Sequence, residues 1–328
     1  MVTAFLNSKI PDEYEIYCMQ PQGYSDGTKR VWKLNQALYG LRKAPLWWFE
    51  TLVKVMKDAG FVPMSTEMCL FKHEKLGVLV LIYVDDILVA GPTLKDCETV
   101  RDLLAAHFEL KEMGLISKFL GLRIRRNLDT NQVFIDQEEY IKKIVSKYGE
   151  ETTKYTGTPW KTDTVIPPSW ESVSNVLKKR YLKQTGSLNY ASTNTRPDIV
   201  KTVSTLCEAN SNPGKTHLEI LKHLWRYLAN TASFGITLGG KHPIDDLKIR
   251  IWADAAFADV LGCRKLTGAH IAFVCGGPIY WKSKKQLLVV TSSTEAEFIN
   301  LTLLLVDLCL YPGWFLRDCD AEVSAPSR

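Results

Sequence analysis

Two adjacent carboxylates, Asp85 and Asp86, interrupt an apolar stretch: Val78 to Val84 is seven apolar residues rich in β-branched types, and Ile87 to Ala90 is a second run. Flanks of that composition read as strands, so the acids stand at the tip of a hairpin. Tight hairpin turns favour Asn-Gly or Asp-Gly, and two like charges side by side repel unless a cation or solvent compensates them. A pair of Mg²⁺ ions would supply that compensation. In two-metal phosphoryl transfer they would also activate an attacking hydroxyl and stabilise the leaving oxygen. The plainer alternative is a solvated turn. Further along, Ile251-Trp252-Ala253-Asp254 reads as a strand ending in a carboxylate, and Ser292-Ser293-Thr294-Glu295-Ala296-Glu297 opens a helix.

The chain that must position these acids has 328 residues, 46% hydrophobic and 23% charged, an ordinary globular composition that excludes disorder as the default. A net charge of +5 is compatible with a polyanionic partner without identifying one. The eight cysteines form no CxxC pair and stand near no histidine at finger-like spacing, so neither zinc nor a disulfide framework is suggested. Reduced thiols in an intracellular setting are expected, with no secretion signal and no membrane span. Helical periodicity is read through Trp47 to Gly60, Lys95 to Phe108, from Glu139 onward, Asn175 to Tyr190, Thr195 to Ala209, His217 to Asn230 and Thr294 to Leu310. Besides the hairpin, strands are read at Phe119 to Arg125, Val133 to Ile135, Leu247 to Ala253 and Gly268 to Cys275. Strands and helices alternate without βαβ regularity, which favours α+β. The Thr/Pro/Ser-rich stretch 151–175 reads as a linker, giving segments 1–150, 151–245 and 246–328.

Several ordered blocks then carry a family resemblance. Tyr83-Val84-Asp85-Asp86 resembles the polymerase motif of reverse transcriptases. Ala4-Phe5-Leu6-Asn7 with Gln20-Pro21-Gln22-Gly23-Tyr24, Lys33 to Arg42 with Ala44-Pro45 and Trp48, and Phe119-Leu120-Gly121-Leu122 resemble flanking blocks of the copia-type retrotransposon Pol polyprotein. Gly186 to Tyr190, Thr195 to Ile199 and Ser211-Asn212-Pro213 are similar to its helical connection, and the segments around Asp254, Trp281 to Gln286 and Glu297 to its ribonuclease H region. The resemblance implies a reverse transcriptase palm with the fingers largely missing, a helical thumb and connection, and a partial ribonuclease H-like domain.

By the same resemblance Asp85 and Asp86 are Mg²⁺ ligands of polymerisation, Tyr83 belongs to their motif, and Phe5 lies under the nucleotide sugar, where a ring clashes with a 2′-hydroxyl. On sequence alone Phe5 is simply a core aromatic. Gly40 implies a close approach of backbone to nucleotide, or merely a helix end. Arg42 and Lys43 lie where a phosphate would be, or are solvated charges. Asp254 and Glu297 are implied as ribonuclease H metal ligands, with Glu295 accounted for by capping from Ser292 or Ser293. Lys282, Lys284 and Lys285 form a solvated face or, beside Trp281, track a hybrid backbone. The partners implied are an RNA template, a DNA primer, an RNA–DNA hybrid and deoxynucleoside triphosphates.

The chain also departs from the family pattern. The first polymerase aspartate would fall just before Met1 and the later ribonuclease H aspartates beyond Arg328, so truncation at both ends and inactive or impaired chemistry are expected. Lys43 stands in place of a usual glutamine, Leu46-Trp47 in place of Arg-Ala, and Ala256 in place of a common acid. Leu303-Leu304-Leu305-Val306 is expected to expose an apolar patch. The alternative function is a non-catalytic nucleic-acid-binding remnant, or a non-functional fragment of a decayed element.

Overall fold

The computed structural model describes residues 3–64, 67–149, 156–161, 164, 166, 173–240, 249–256, 265–289, 295, 297–302 and 321–324. The chain is a mixed α/β protein of two compact units, Met1–Leu115 and Ile116–Arg328.

In the first unit, a two-stranded ribbon joins β1 (Tyr17–Met19) to β2 (Val31–Lys33), and a four-stranded antiparallel sheet has the order β3 (Val62–Pro63), β4 (Leu70–His73), β5 (Val78–Tyr83), β6 (Asp86–Ala90). Helix α1 (Ala44–Asp58) carries Pro45 in its first turn, where a missing N–H is harmless. It buries Trp48, Leu52 and Met56 at helical spacing. Helix α2 (Leu94–Ala105) begins at a reciprocal cap between Thr93 and Asp96. These helices meet the sheet in one cluster with Val78, Val80 and Ile82 from β5 and Val100, Leu104 and Phe108 from α2 and its end. Each such aliphatic side chain contributes about 1.5–3 kcal/mol on leaving water.

In the second unit, a sheet of order β10 (Gly235–Gly239), β9 (Gln132–Asp136), β8 (Leu122–Asn127), β7 (Lys118–Phe119) is antiparallel throughout. Residues 116–149, which the sequence reading groups with the first segment, thus pair with a strand almost a hundred residues downstream. Helices α3 (Glu138–Tyr148), α4 (Asn175–Asn194), α5 (Val200–Glu208) and α6 (Lys215–Asn230) share a core around Tyr181, Leu188, Leu206, Leu221, Leu224 and Leu228. Of the linker residues, Trp160 and Ile166 pack on this core.

The helix read from Thr195 in fact starts at Val200, after a single 3₁₀ turn at Pro197–Ile199. The cause is local, because a residue before proline is driven out of the α region, and Arg196 sits at φ −125°, ψ 70°. Its side chain is 1% exposed and makes four hydrogen bonds. It donates to both Asp198 carboxylate oxygens at 2.9 and 2.7 Å, and to the Thr231 carbonyl and hydroxyl at 2.8 Å each. Tyr227 donates to the same Asp198 at 2.8 Å. Burial and then the aspartate push its phenol up to about 12. A charged plug therefore ties the start of α5 to the end of α6.

A third sheet has the order β13 (Gly277–Val289), β12 (Lys265–Val274), β11 (Ile249–Ala256), β14 (Ala321–Ser324), with β14 parallel to β11. Residues 295 and 297–302 are helical. The remainder of the expected final helix, including Leu303 to Val306, lies outside the described residues. Of the cysteines, 18, 69, 97, 207 and 275 are free and half-buried. No described helix is long and apolar enough to cross a membrane.

Candidate active site

Tyr83 pairs with Asp86, leaving Val84 and Asp85 as a two-residue turn between β5 and β6. Val84 holds φ 57°, a left-handed conformation that costs a β-branched residue about 1–2 kcal/mol. The restraint comes from α1: the Trp48 indole N–H donates to the Val84 carbonyl at 2.8 Å. Trp48 is 2% exposed and meets Phe108 edge-on at 5.2 Å. A strained turn persists where its surroundings over-determine it, and here a buried indole does so. Tyr83, Asp85 and Asp86 are all exposed, so the two neighbouring carboxylates are presented at the tip.

Phe5 lies in a 3₁₀ turn, Ala4–Asn7, that follows Thr3 at φ 48°. Ala4 is buried with Trp48, Val80 and Ile82, and Phe5 packs against this cluster and against a second one of Ile10, Ala37, Ala44 and Trp47. Its ring lies 4.5 Å from that of Tyr39. Gly40 follows at φ +100°, and a Cβ there would meet nothing within 4 Å. It does not end a helix but lies in the turn before α1, and backbone conformation, not crowding, requires the glycine.

Arg42 is exposed. The Lys43 ammonium donates to the Tyr14 hydroxyl at 2.5 Å and lies 4.0 Å from that ring's centroid. Tyr14 in turn packs on Trp47 at 5.5 Å. The two indoles of α1 thus divide the labour: Trp48 fixes the acid-bearing hairpin, and Trp47 fixes the stretch carrying Gly40 and Lys43. In the sequence Trp48 stands only within a resembling block, and nothing in the spacing shows that its N–H caps a turn 36 residues away.

Asp254 lies near the end of β11, opposite Ala269. Ile249 and Ile251 are buried while Arg250, Trp252 and Asp254 are exposed, as strand alternation requires. The helical residues 297–302 cover the isoleucine face, with Leu301 in its cluster. Their anchor is Asn300, 3% exposed, whose amide donates to the Asp254 carbonyl at 2.8 Å and the Ala269 carbonyl at 2.9 Å. Gly268 makes room for it, since a Cβ there would fall 2.5 Å from the Asn300 oxygen. Glu297, exposed, is one turn before Asn300. Asp254 and Glu297 are therefore carried by two elements joined at the Asp254 carbonyl, with the Asp254 side chain on the strand face opposite the isoleucines.

Trp281, Lys282 and Lys285, which the sequence assigns to no element, are part of β13. Alternating lysines with a tryptophan and a serine hides a strand whose buried positions include Ser283 and Gln286. The Trp281 N–H donates to the Ser192 carbonyl at 2.6 Å, and Lys285 pairs with Glu208 at 3.6 Å, so both dock β13 onto the helices. Lys282 is half-buried and Lys284 exposed.

Among the described residues, no three His, Cys, Asp or Glu side chains cluster to hold a metal ion. Two carboxylates presenting only oxygen donors do suit Mg²⁺, which keeps several waters and takes one or two carboxylates together with substrate phosphates.

A family model for reverse transcriptase (RNA-dependent DNA polymerase) matches residues 1–161. The Pol polyprotein from transposon TNT 1-94 of Nicotiana tabacum is 33% identical over 92% of this chain and 23% of its own length. The putative transposon Ty5-1 protein of Saccharomyces cerevisiae is 32% identical over 91% of this chain and 96% of its own. The Pol polyprotein from transposon RE1 of Arabidopsis thaliana is 34% identical over 90% of this chain and 20% of its own. The chain thus spans about a fifth to a quarter of the two plant polyproteins and nearly all of the yeast protein. With a reverse transcriptase match over its first part and this similarity along almost its whole length, the chain belongs to the reverse transcriptase-bearing Pol proteins of copia-type retrotransposons.

Proposed function

We propose that the first unit carries an RNA-directed DNA polymerase site, with Asp85 and Asp86 as its acidic pair. The observation that carries this reading is a turn that keeps two adjacent carboxylates exposed at the cost of a strained valine, with a buried indole spent on holding it. A merely solvated turn has no use for that arrangement. Reverse transcriptases generally use divalent metals. Bound there, Mg²⁺ would lower the cost of deprotonating a primer hydroxyl and neutralise charge building on a leaving phosphate.

The chain's own residues do the rest. Phe5, braced by Tyr39, limits the space beside a nucleotide sugar, and Gly40 leaves open backbone where a side chain would intrude. Exposed Arg42 meets a phosphate. Lys43, engaged by Tyr14 through one of its three donors, orients that stretch and offers the others to a phosphate. The partners proposed are an RNA template, a DNA primer and deoxynucleoside triphosphates.

In the second unit, residues 116–149 with α4 to α6 serve as thumb and connection, and the β11–β13 sheet as a ribonuclease H-like domain acting on an RNA–DNA hybrid. Asp254 and Glu297 are its acids. Chemistry is impaired there, because Ala256 offers a methyl group where the family commonly has an acid. Primer extension on an RNA template with Mg²⁺ tests the polymerase reading: product from the chain and none from Asp85→Asn supports it, and equal product from both removes it.

A further inference from the structure

Helices α4 and α6 face each other in two matched stripes, and between them lies a cavity of about 250 Å³. Leu177, Arg180, Tyr181 and Gln184 recur at helical spacing on α4, and Leu218, Leu221, Lys222, Trp225 and Arg226 do so on α6. Tyr148, at the end of α3, also lines it, with its ring 5.8 Å from that of Trp225 and tilted by 32°. Apart from Gln184, the buried part of this stripe is apolar or aromatic, as a helical core requires, and its open edge carries Arg180, Lys222 and Arg226, with no acid among the described lining residues.

The indole orientation is fixed as well, because the Trp225 N–H donates to the Gln184 oxygen at 2.8 Å and both residues are buried. The field around the cavity has the same sign. Along α4, Lys178, Lys179, Arg180 and Lys183 belong to a helix whose own sequence contains no Asp or Glu. The chemistry is an aromatic wall, aliphatic flanks and a cationic mouth. At a volume just below the roughly 300 Å³ where drug-sized pockets begin, it suits a single ring system.

We propose that this cavity is a binding site for an aromatic ring bearing a phosphate, the chemistry of a nucleotide, with the ring against Trp225 and Tyr148 and the phosphate on Arg180 and Arg226. The ligand is either a free mononucleotide or one nucleotide of a single strand. The site stands on residues of the second unit alone, so its failure leaves the polymerase reading untouched.

Calorimetric titration of the full chain in EDTA, which silences metal-dependent nucleotide binding, tests it with adenosine 5′-monophosphate, phenyl phosphate, benzoate, inorganic phosphate and a short oligothymidylate. Adenosine monophosphate and phenyl phosphate are expected to bind and to compete with each other. R180A and R226A should each weaken them about tenfold, the loss of one charge-assisted hydrogen bond. L218W, which fills the cavity, should abolish binding while thermal unfolding confirms that the chain is folded. Competition by the oligothymidylate assigns the site to a strand, and its absence assigns it to the free nucleotide. The proposal is overturned if R180A and R226A bind as the parent does, if L218W binds unchanged, if benzoate matches phenyl phosphate, or if inorganic phosphate binds as tightly as the ring-bearing probes.

Discussion

The two proposed acidic pairs are held by opposite strategies. Asp85 and Asp86 are neighbours in sequence, and one turn presents both, with a single indole from α1 clamping the backbone between the strands. Asp254 and Glu297 are more than forty residues apart, and a buried amide, Asn300, joins their strand and helix by taking the Asp254 carbonyl. In the first pair the geometry is local and the strain is local. In the second the geometry exists only after the sheet and helix have met. A site written into consecutive residues survives loosening of its surroundings better than one assembled by a tertiary hydrogen bond, and the two should fail differently.

The largest expected difference is in chemistry. D86N should lower primer extension by about a hundredfold or more, as loss of a metal ligand does, with no fall in the melting temperature, since both acids are exposed. N300L should do the reverse. It leaves two part-buried carbonyls without the Asn300 amide, costs about 3 kcal/mol in the second unit by denaturant unfolding, and leaves any primer extension unchanged. If N300L melts like the parent, the clamp is not what joins the β11 strand to its helix.

Smaller effects sharpen the account of the hairpin. W48F keeps most of the packing and deletes the N–H, so it should cost about 1 kcal/mol and reduce nucleotide affinity by freeing the turn. V84G relieves the left-handed strain and should leave stability unchanged or raise it by up to about 1 kcal/mol. A loss of 2 kcal/mol would mean that the turn is not strained.

Mild acid should separate the two units. Burial holds His217 below its ordinary value, and its Nδ1 accepts from the Gly214 N–H at the start of α6. The unfolded chain therefore takes up a proton that the folded chain resists. The stabilisation is complete above the unfolded value of about 6.5 and is lost as pH falls through the window beneath it. Fluorescence-monitored denaturation at pH 7.5 and 5.5 should show the second unit weakened, and H217N should flatten the difference.

The hairpin was legible because its two signals, β-branched runs and a carboxylate pair, sit within a dozen residues. So was α6, whose apolar residues recur at one helical period. β13 was not, since lysines occupy alternate positions and their long stems hide a half-buried strand. β10 was missed for a different reason: Gly235 to Gly239 is short and glycine-bounded, and it becomes a strand only by pairing with β9. The start of α5 is displaced because Thr195 closes α4 and Pro197 opens a 3₁₀ turn ahead of Val200. The residue before that proline is expelled from the helix and buried as a charged plug. At the candidate sites the acids themselves were readable, but Trp48 and Asn300 were not. Both act through one side-chain N–H on a distant carbonyl, and spacing carries no trace of that.

The central claim is that Asp85 and Asp86 together hold a divalent ion, and Mn²⁺ binding followed by electron paramagnetic resonance with a deoxynucleoside triphosphate present tests it without requiring turnover. The account predicts bound Mn²⁺ in the parent chain and in an Asp254→Asn, Glu297→Gln chain that isolates the hairpin, and none at the same concentrations after D85N and D86N are introduced into the latter. An unchanged spectrum on neutralising both hairpin acids would contradict it.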